Sequence, residues 1–259
     1  MRETALVTGA SSGIGEDLAQ LLAAGGRNVV LLARSADKLQ AMASQLSATH
    51  GIEATVLAAD LSDAGATSQI ARTLSARGTT IDILVNNAGF GTAGTFAVED
   101  PHNQEDMLQV NVVALTALTR AFLPGMLERK RGRILNVAST AAFQPGPFMT
   151  VYYASKAYVL SFSEALAEET AGSGVTVTCL CPGPTLTGFQ SRAHVEKSRL
   201  FNLARPMQSS DVARAGYDAM LAGRRLVIPG AMNKIGAQSI RITPRALVLK
   251  LIRFLNTGS

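Results

Sequence analysis

Seven short runs of apolar and β-branched residues, at 4–8, 28–33, 53–58, 81–85, 133–138, 175–181 and 225–228, are separated by longer stretches of helical periodicity. Runs this short and this apolar suit strands buried on both faces, and the stretches between them suit the helices that cover those faces. Strands alternating with helices predict an α/β protein built on a parallel, doubly wound sheet. In such sheets ligands sit beyond the carboxyl ends of the strands, so the segments following each strand are where functional residues are expected.

The chain has 259 residues, 47% of them apolar and 17% charged, which suits one α/β domain over 1–259 and excludes an extended disordered protein. A net charge of +5 and a pI near 9.5 raise the question of an anionic partner. The basic residues are scattered, however, and the tightest run, Arg129-Lys130-Arg131-Gly132-Arg133, lies where a helix gives way to a strand and complements the helix dipole. With no aromatic-plus-basic reading surface, no nucleic-acid partner is expected. Cys179 and Cys181 stand two apart on one strand, where bridging strains the geometry, and they read as reduced core residues. Together with a start that runs straight into a strand, they give a cytoplasmic expectation. No apolar run is expected to span a bilayer. His50, His102 and His194 are isolated, so no metal is expected.

The first strand runs into Gly9-Ala10-Ser11-Ser12-Gly13-Ile14-Gly15 and then a helix ending near Ala24. Glycines there permit a tight turn and close backbone approach to a phosphate, and the helix start offers unpaired N–H groups. After the second strand comes Ala33-Arg34-Ser35, with Lys38 a turn further on. A guanidinium at that place pairs with a 2′-phosphate, and the carboxylate that would bind a free 2′-hydroxyl is missing; the expected cofactor is therefore NADP(H). Asp60, followed by Leu61 after the third strand, suits either a bond to an adenine amino group or a helix cap shared with Ser62 and Asp63. Asn87, Ala88 and Gly89 follow the fourth strand, with Asn86 bracing the turn. After the sixth strand, Pro182-Gly183-Pro184-Thr185-Leu186-Thr187 offers backbone groups and the Thr185 and Thr187 hydroxyls for a nicotinamide amide and a phosphate.

Tyr152 and Lys156 stand four residues apart in a helical stretch, so phenol and ammonium share a face and are expected to meet. A free tyrosine titrates near 10, and bringing it down by roughly three units takes about 4 kcal/mol of differential interaction. Lys156 together with an oxidised nicotinamide ring would supply it, making Tyr152 a general acid/base. Asn111 lies within a long apolar helix, about 104–129, where a buried amide needs a definite partner. Ser139 ends the fifth strand, and the Gly/Pro-rich loop 140–150 should border the substrate. The segment 188–209, with Phe189, Phe201 and Met207 among charges, suits a mobile lid.

These stretches, Thr8-Gly9-Ala10-Ser11-Ser12-Gly13-Ile14-Gly15, Asn86-Asn87-Ala88-Gly89, Asn111, Ser139, Tyr152-xxx-Lys156 and Pro182-Gly183, come in the order and with the separations of the short-chain dehydrogenase/reductase family, which the chain resembles from position 4 to about 230. The resemblance implies a Rossmann-type domain, three layers α/β/α around about seven parallel strands, and a homodimer or homotetramer. It makes Tyr152 the proton donor and acceptor, gives Ser139 a bond to the substrate carbonyl oxygen, and has Lys156 bind the nicotinamide ribose and depress the tyrosine. Asn111 then anchors a water in a proton relay. The implied reaction moves hydride between a nicotinamide and a small-molecule carbonyl/alcohol pair. A catalytically inactive NADP(H)-binding sensor or scaffold stands as the alternative, as does a membrane-peripheral reductase of lipid or acyl substrates.

The departure lies in the C-terminal helical extension, 231–259. In it, Arg245, Lys250 and Arg253 share one side of a helix, and Leu247, Val248, Leu251, Ile252, Phe254 and Leu255 cover the other. Such a helix suits packing on the core, covering the active site or lying in a membrane interface; packing or subunit contact is the preferred reading, ahead of a membrane surface.

Overall fold

The strands form as the apolar runs require. In the computed structural model, which describes residues 2–193, 199 and 206–257, β1 (Thr4–Thr8), β2 (Asn28–Ala33), β3 (Ala54–Ala58), β4 (Ile83–Asn86), β5 (Gly132–Val137) and β6 (Val175–Leu180) are joined by a short last strand in the sheet, β9 (Leu226–Val227). All seven are parallel, in the order β3-β2-β1-β4-β5-β6-β9. The order reverses between β1 and β4, and the crevice at that switch is where the sheet takes a ligand.

Successive side chains leave the sheet on opposite faces, which sorts the core into two layers. Ala5, Val7, Val29 and Leu31 pack on one side against α1 (Gly13–Ala24), α2 (Ala36–His50) and α8 (Ser209–Leu221), through Leu18, Leu22, Leu39, Val212 and Met220. Leu6, Val30, Leu84 and Ile134 pack on the other, against Ile70 and Leu74 of α3 (Ala66–Ala76), Leu118 and Met126 of α5 (Leu115–Glu128) and Leu166 of α6 (Thr150–Glu169). This is the Rossmann-type three-layer α/β/α arrangement.

One long helical run departs from expectation. From α4 (Pro101–Leu108) to α5 it continues through six residues of π-helix, Gln109–Ala114. Spanning Pro101–Glu128, it is long and apolar enough to cross a bilayer, although no such run was expected from the sequence. The fold uses it as a core helix, burying Ala114, Leu118 and Met126 against Leu84 and Ile134.

Beyond β6 the chain forms β7 (Thr185–Leu186), α7 (Phe189–Ala193) and β8 (Met207–Gln208). β7 and β8 pair in parallel as a separate two-stranded sheet, which ties the far end of the expected lid segment to the strand just before its start. Residues 194–198 and 200–205 of that segment, Phe201 included, lie outside the described residues. The C-terminal extension is α9 (Ala231–Ser239) and α10 (Arg245–Asn256), the latter docked on the amino-terminal end of α6, beside Met149 and Tyr153, through Val248 and Ile252.

Candidate active site

A cleft of about 880 Å³ opens beyond the carboxyl ends of the strands. Its first wall is the turn between β1 and α1. Gly9 and Gly13 take left-handed backbone, φ +66° and +57°, and side chains there would press on Asn87 and Thr187. Gly9, Ser11, Ser12, Gly13 and Ile14 line the cleft. Gly15 does not line it; a Cβ there would come within 2.3 Å of the Gly9 carbonyl oxygen, so this glycine lets the helix start pack under the turn. The Thr8 hydroxyl fixes the opposite lip, accepting from the Asn87 and Ala88 N–H groups at 2.9 Å each and donating to the Val85 carbonyl. Asn86 lies behind, donating to Thr119 of α5 and Asn136 of β5, so it ties the end of β4, from which the turn leaves, to the helix and strand beside it.

At one end of the cleft stand Arg34, Asp60 and Leu61. Arg34 Nη1 lies 3.5 Å from Asp60 Oδ2, with 62% of the arginine side chain exposed. Burial alone would raise the Asp60 carboxyl, but bonds from the Ser62 N–H and hydroxyl, with Arg34, hold it below its ordinary value. Asp60 faces the cleft and braces the turn after β3 through Ser62, but the expected helix cap is corrected: α3 starts at Ala66 with Gly65 at its N-cap, too far along the chain for Asp60 to reach. Lys38 does not join them. It is exposed on α2 outside the cleft lining and close enough to Glu16 to act on that carboxyl, because one helical turn carries it past the strand end.

At the other end are Ser139, Tyr152 and Lys156, with Pro182, Gly183, Thr185 and Thr187 forming the floor after β6. α6 starts at Thr150, placing Tyr152 in its first turn and Lys156 one turn deeper. The Ser139 hydroxyl accepts from the Ala141 N–H at 3.0 Å, lies 3.5 Å from the Pro182 carbonyl, and is near enough to the Tyr152 phenol to favour its ionised form. Burial pushes Tyr152 up to about 12, with Ser139 pulling the other way and Tyr153 adding to the rise. Lys156 is lowered to about 8 by burial, against the neighbouring Cys179 and Cys181, which raise it. The expected meeting of phenol and ammonium is corrected here: Lys156 Nζ donates to the Val137 carbonyl at 2.9 Å and lies 5.9 Å from the Tyr152 ring centroid. A buried ammonium needs a strong acceptor, and the end of β5 supplies one.

Asn111 sits on the π-helical turn behind the cleft rather than in its lining. Its amide grips the Phe90 backbone from both sides, Oδ1 accepting at 3.1 Å and Nδ2 donating at 2.9 Å, and donates to Ser155 Oγ at 3.0 Å. Gly89 makes this approach workable, because a Cβ there would lie 2.9 Å from Asn111 Oδ1 and 3.3 Å from Lys156 Nζ. Asn111 thereby ties the turn after β4 to the helix that carries Tyr152.

Further walls of the cleft come from the loop 140–150, placed there by the sequence, and from α10, for which covering the site is one of the readings. Ile252 and Leu255 of α10 complete the wall beside Met149 and Phe189, and the Phe189 ring lies 5.3 Å from that of Tyr152. Gln144 also lines it, and its Oε1 is buried without a partner among the described residues. The amphipathic pattern marked α10 as a packing helix, but no local signal says which surface it covers.

The donor set fits a dinucleotide: glycine backbone and the open start of α1 for phosphates, a cation and a carboxylate at the adenosine end, hydroxyls and an ammonium at the other. Ser12 caps α1 without a side-chain bond, so its first-turn N–H groups are not satisfied by that side chain. Fold and cleft together define a dinucleotide-binding α/β protein. The chain belongs to the short-chain dehydrogenase/reductase family, whose model, described as short chain dehydrogenase, matches residues 3–197.

Among curated relatives, the chain is 37% identical over 76% of its length to hydroxysteroid dehydrogenase-like protein 1 of Gallus gallus, covering 60% of that protein. It is 33% identical over 98% of its length to the very-long-chain 3-oxoacyl-CoA reductase of Rattus norvegicus, covering 80% of it. Several of these relatives are longer, and the matched stretch spans about three fifths of their length. A solved short-chain dehydrogenase from Sphingobium yanoikuyae in complex with NADPH superposes with a TM-score of 0.83 at 31% identity, covering 93% of this chain and 94% of that one.

Proposed function

We propose that the protein is an NADP(H)-dependent oxidoreductase that interconverts a carbonyl and a secondary alcohol. The observation that carries this reading is that Ser139, Tyr152 and Lys156 line the same cleft as the glycine turn. NADP(H), when bound, supplies or takes up the hydride. In the reductive direction the Tyr152 phenol gives its proton to the carbonyl oxygen, and Ser139 Oγ, oriented by the Ala141 N–H, bonds the same oxygen. Lys156 holds the ribose and, when charged, favours the phenolate needed for the reverse reaction. Asn111 keeps the two halves of the site in register.

Arg34 at the adenosine end supports the phosphorylated cofactor. The apolar wall of Met149, Phe189, Ile252 and Leu255 favours an apolar carbonyl compound, in keeping with relatives named for oxoacyl and hydroxysteroid chemistry. A homodimer or homotetramer in the cytoplasm completes the reading; Leu108, Val113 and Tyr158 offer exposed apolar surface for subunit contact, and the Cys179 and Cys181 thiols are free.

Purified protein screened against a panel of carbonyl compounds should consume NADPH, followed by its absorbance. Tyr152→Phe should lower turnover by about 10²–10⁴-fold while NADPH binding, read by fluorescence, persists. Turnover unchanged by that substitution would refute the role.

A further inference from the structure

The C-terminal extension carries more apolar surface than the fold uses. On α10, Val248, Ile252 and Leu255 face the protein, and Ile252 and Leu255 wall the cleft's far end. The apolar arc continues around the helix to Leu247, Leu251 and Phe254, spaced i, i+4, i+7, which are 57%, 56% and 52% exposed. α9 and the connecting turn add Met232, Ile235 and Ile242 at 77%, 61% and 88%. Single exposed apolar residues are ordinary, but so many in one short segment mark a surface meant for contact.

The charge of the segment says with what. It contains Lys234, Arg241, Arg245, Lys250 and Arg253, and no Asp or Glu occurs after Asp218. None of these five cations forms an ion pair among the described residues. We propose that α9 and α10 form a docking face for an anionic lipid bilayer. A stripe of leucine and phenylalanine flanked by lysine and arginine settles into a headgroup layer, and the negative surface draws the cations. A two-fold contact between copies through the same face would instead bring like charges together.

Docking would set the bilayer against the helix whose other face walls the cleft, so that apolar carbonyl compounds held in lipid reach the site by the shortest path. That consequence rests on the reductase reading; the docking itself does not.

The test is co-sedimentation of the full chain with vesicles of phosphatidylglycerol and phosphatidylcholine, compared with phosphatidylcholine alone. The protein should pellet with the mixed vesicles and bind the neutral ones about tenfold more weakly. Leu247→Ser/Leu251→Ser and Arg245→Glu/Lys250→Glu should each weaken pelleting by about tenfold or more with circular dichroism and NADPH binding unchanged. No pelleting with anionic vesicles, or pelleting that neither variant weakens, overturns the proposal. So does self-association, read by light scattering, that the serine variant abolishes in a chain that ignores vesicles; the face would then belong to a second copy. A chain that pellets yet fails to bind NADPH leaves the docking standing and sinks the reductase reading.

Discussion

The Lys156 ammonium donates to the Val137 carbonyl at 2.9 Å and stands over the Tyr152 ring only at the long distance of 5.9 Å from its centroid. Sharing a helix face brings the two side chains near each other without making them partners. In the free protein only the nearby Ser139 hydroxyl works against the cost of ionising a buried phenol, and burial pushes Tyr152 up to about 12. The free protein thus holds the proton that carbonyl reduction needs.

Tyrosinate absorbance should therefore titrate identically in the free wild type and in Tyr152→Phe up to about pH 10.5, since a phenol at this position stays protonated well above the ordinary value of about 10. Adding NADP⁺ should bring out an extra ionisation at lower pH in the wild type alone. An early-ionising phenol in the free protein that vanishes in Tyr152→Phe would contradict the buried, Lys-independent picture.

Lys156 makes a stability prediction of definite sign. Its pKa of about 8 in the fold lies below the unfolded value of 10.5, so the folded chain binds its proton less readily. Below pH 8 the fold bears the whole cost of the buried charge; between pH 8 and 10.5 that cost is relieved as pH rises. Lys156→Met lacks it. Urea denaturation should show the wild type gaining up to roughly 3 kcal/mol relative to Lys156→Met between pH 7 and 10.5, less whatever the lost Val137 bond contributes. A pH-independent difference would show that Lys156 is not buried as described.

Arg34 and Asp60 bear on the choice of cofactor. The pair is 3.5 Å apart and the arginine mostly exposed, so the guanidinium keeps donors free for a 2′-phosphate. Arg34→Ala should lower kcat/KM with NADPH by about tenfold or more and leave NADH nearly unchanged. Equal losses with both nucleotides would assign Arg34 to bracing Asp60 alone.

How far the sequence reveals this site depends on where each residue's partner lies. β1, β2 and β4 are legible because strands buried on both faces are apolar without interruption, and the glycine turn, Ser139 and Tyr152 are legible because they stand at strand or helix ends. Lys156 is found by spacing, but its acceptor on β5 comes from tertiary packing, which helical periodicity does not encode. The π-helical turn that carries Asn111 changes hydrogen-bond register within an unbroken apolar helix, so the sequence shows no boundary. β7 and β8 are two residues each, too short for a pattern. Ile252 and Leu255 reach the cleft from a segment recognisable only as an amphipathic helix.

The substrate loop and the extension are joined through one side chain, and this yields the last prediction. Asn256, buried at the end of α10, accepts from the Tyr153 hydroxyl at 3.1 Å and donates to the Pro147 carbonyl at 2.9 Å. Phe148, next in the loop, holds a left-handed backbone at φ +66°, a conformation a bulky residue keeps only when its surroundings impose it. The Gly94 N–H bond to the Phe148 carbonyl and the Arg253 guanidinium 5.8 Å from its ring are the other restraints. Asn256→Ala removes both amide bonds and leaves a buried phenol and a carbonyl without partners, which should cost about 2–4 kcal/mol in chemical denaturation. With the loop released, KM for a carbonyl substrate should rise severalfold while NADPH affinity, set at the opposite end of the cleft, stays constant. Tyr153→Phe breaks only one of the two bonds, so it should destabilise less and leave KM closer to wild type. In the double variant the two losses should fall short of additive, because both substitutions remove the same Tyr153–Asn256 bond. Fully additive losses, or an NADPH affinity that falls with KM, would mean that Asn256 supports the fold at large and does not position the substrate loop.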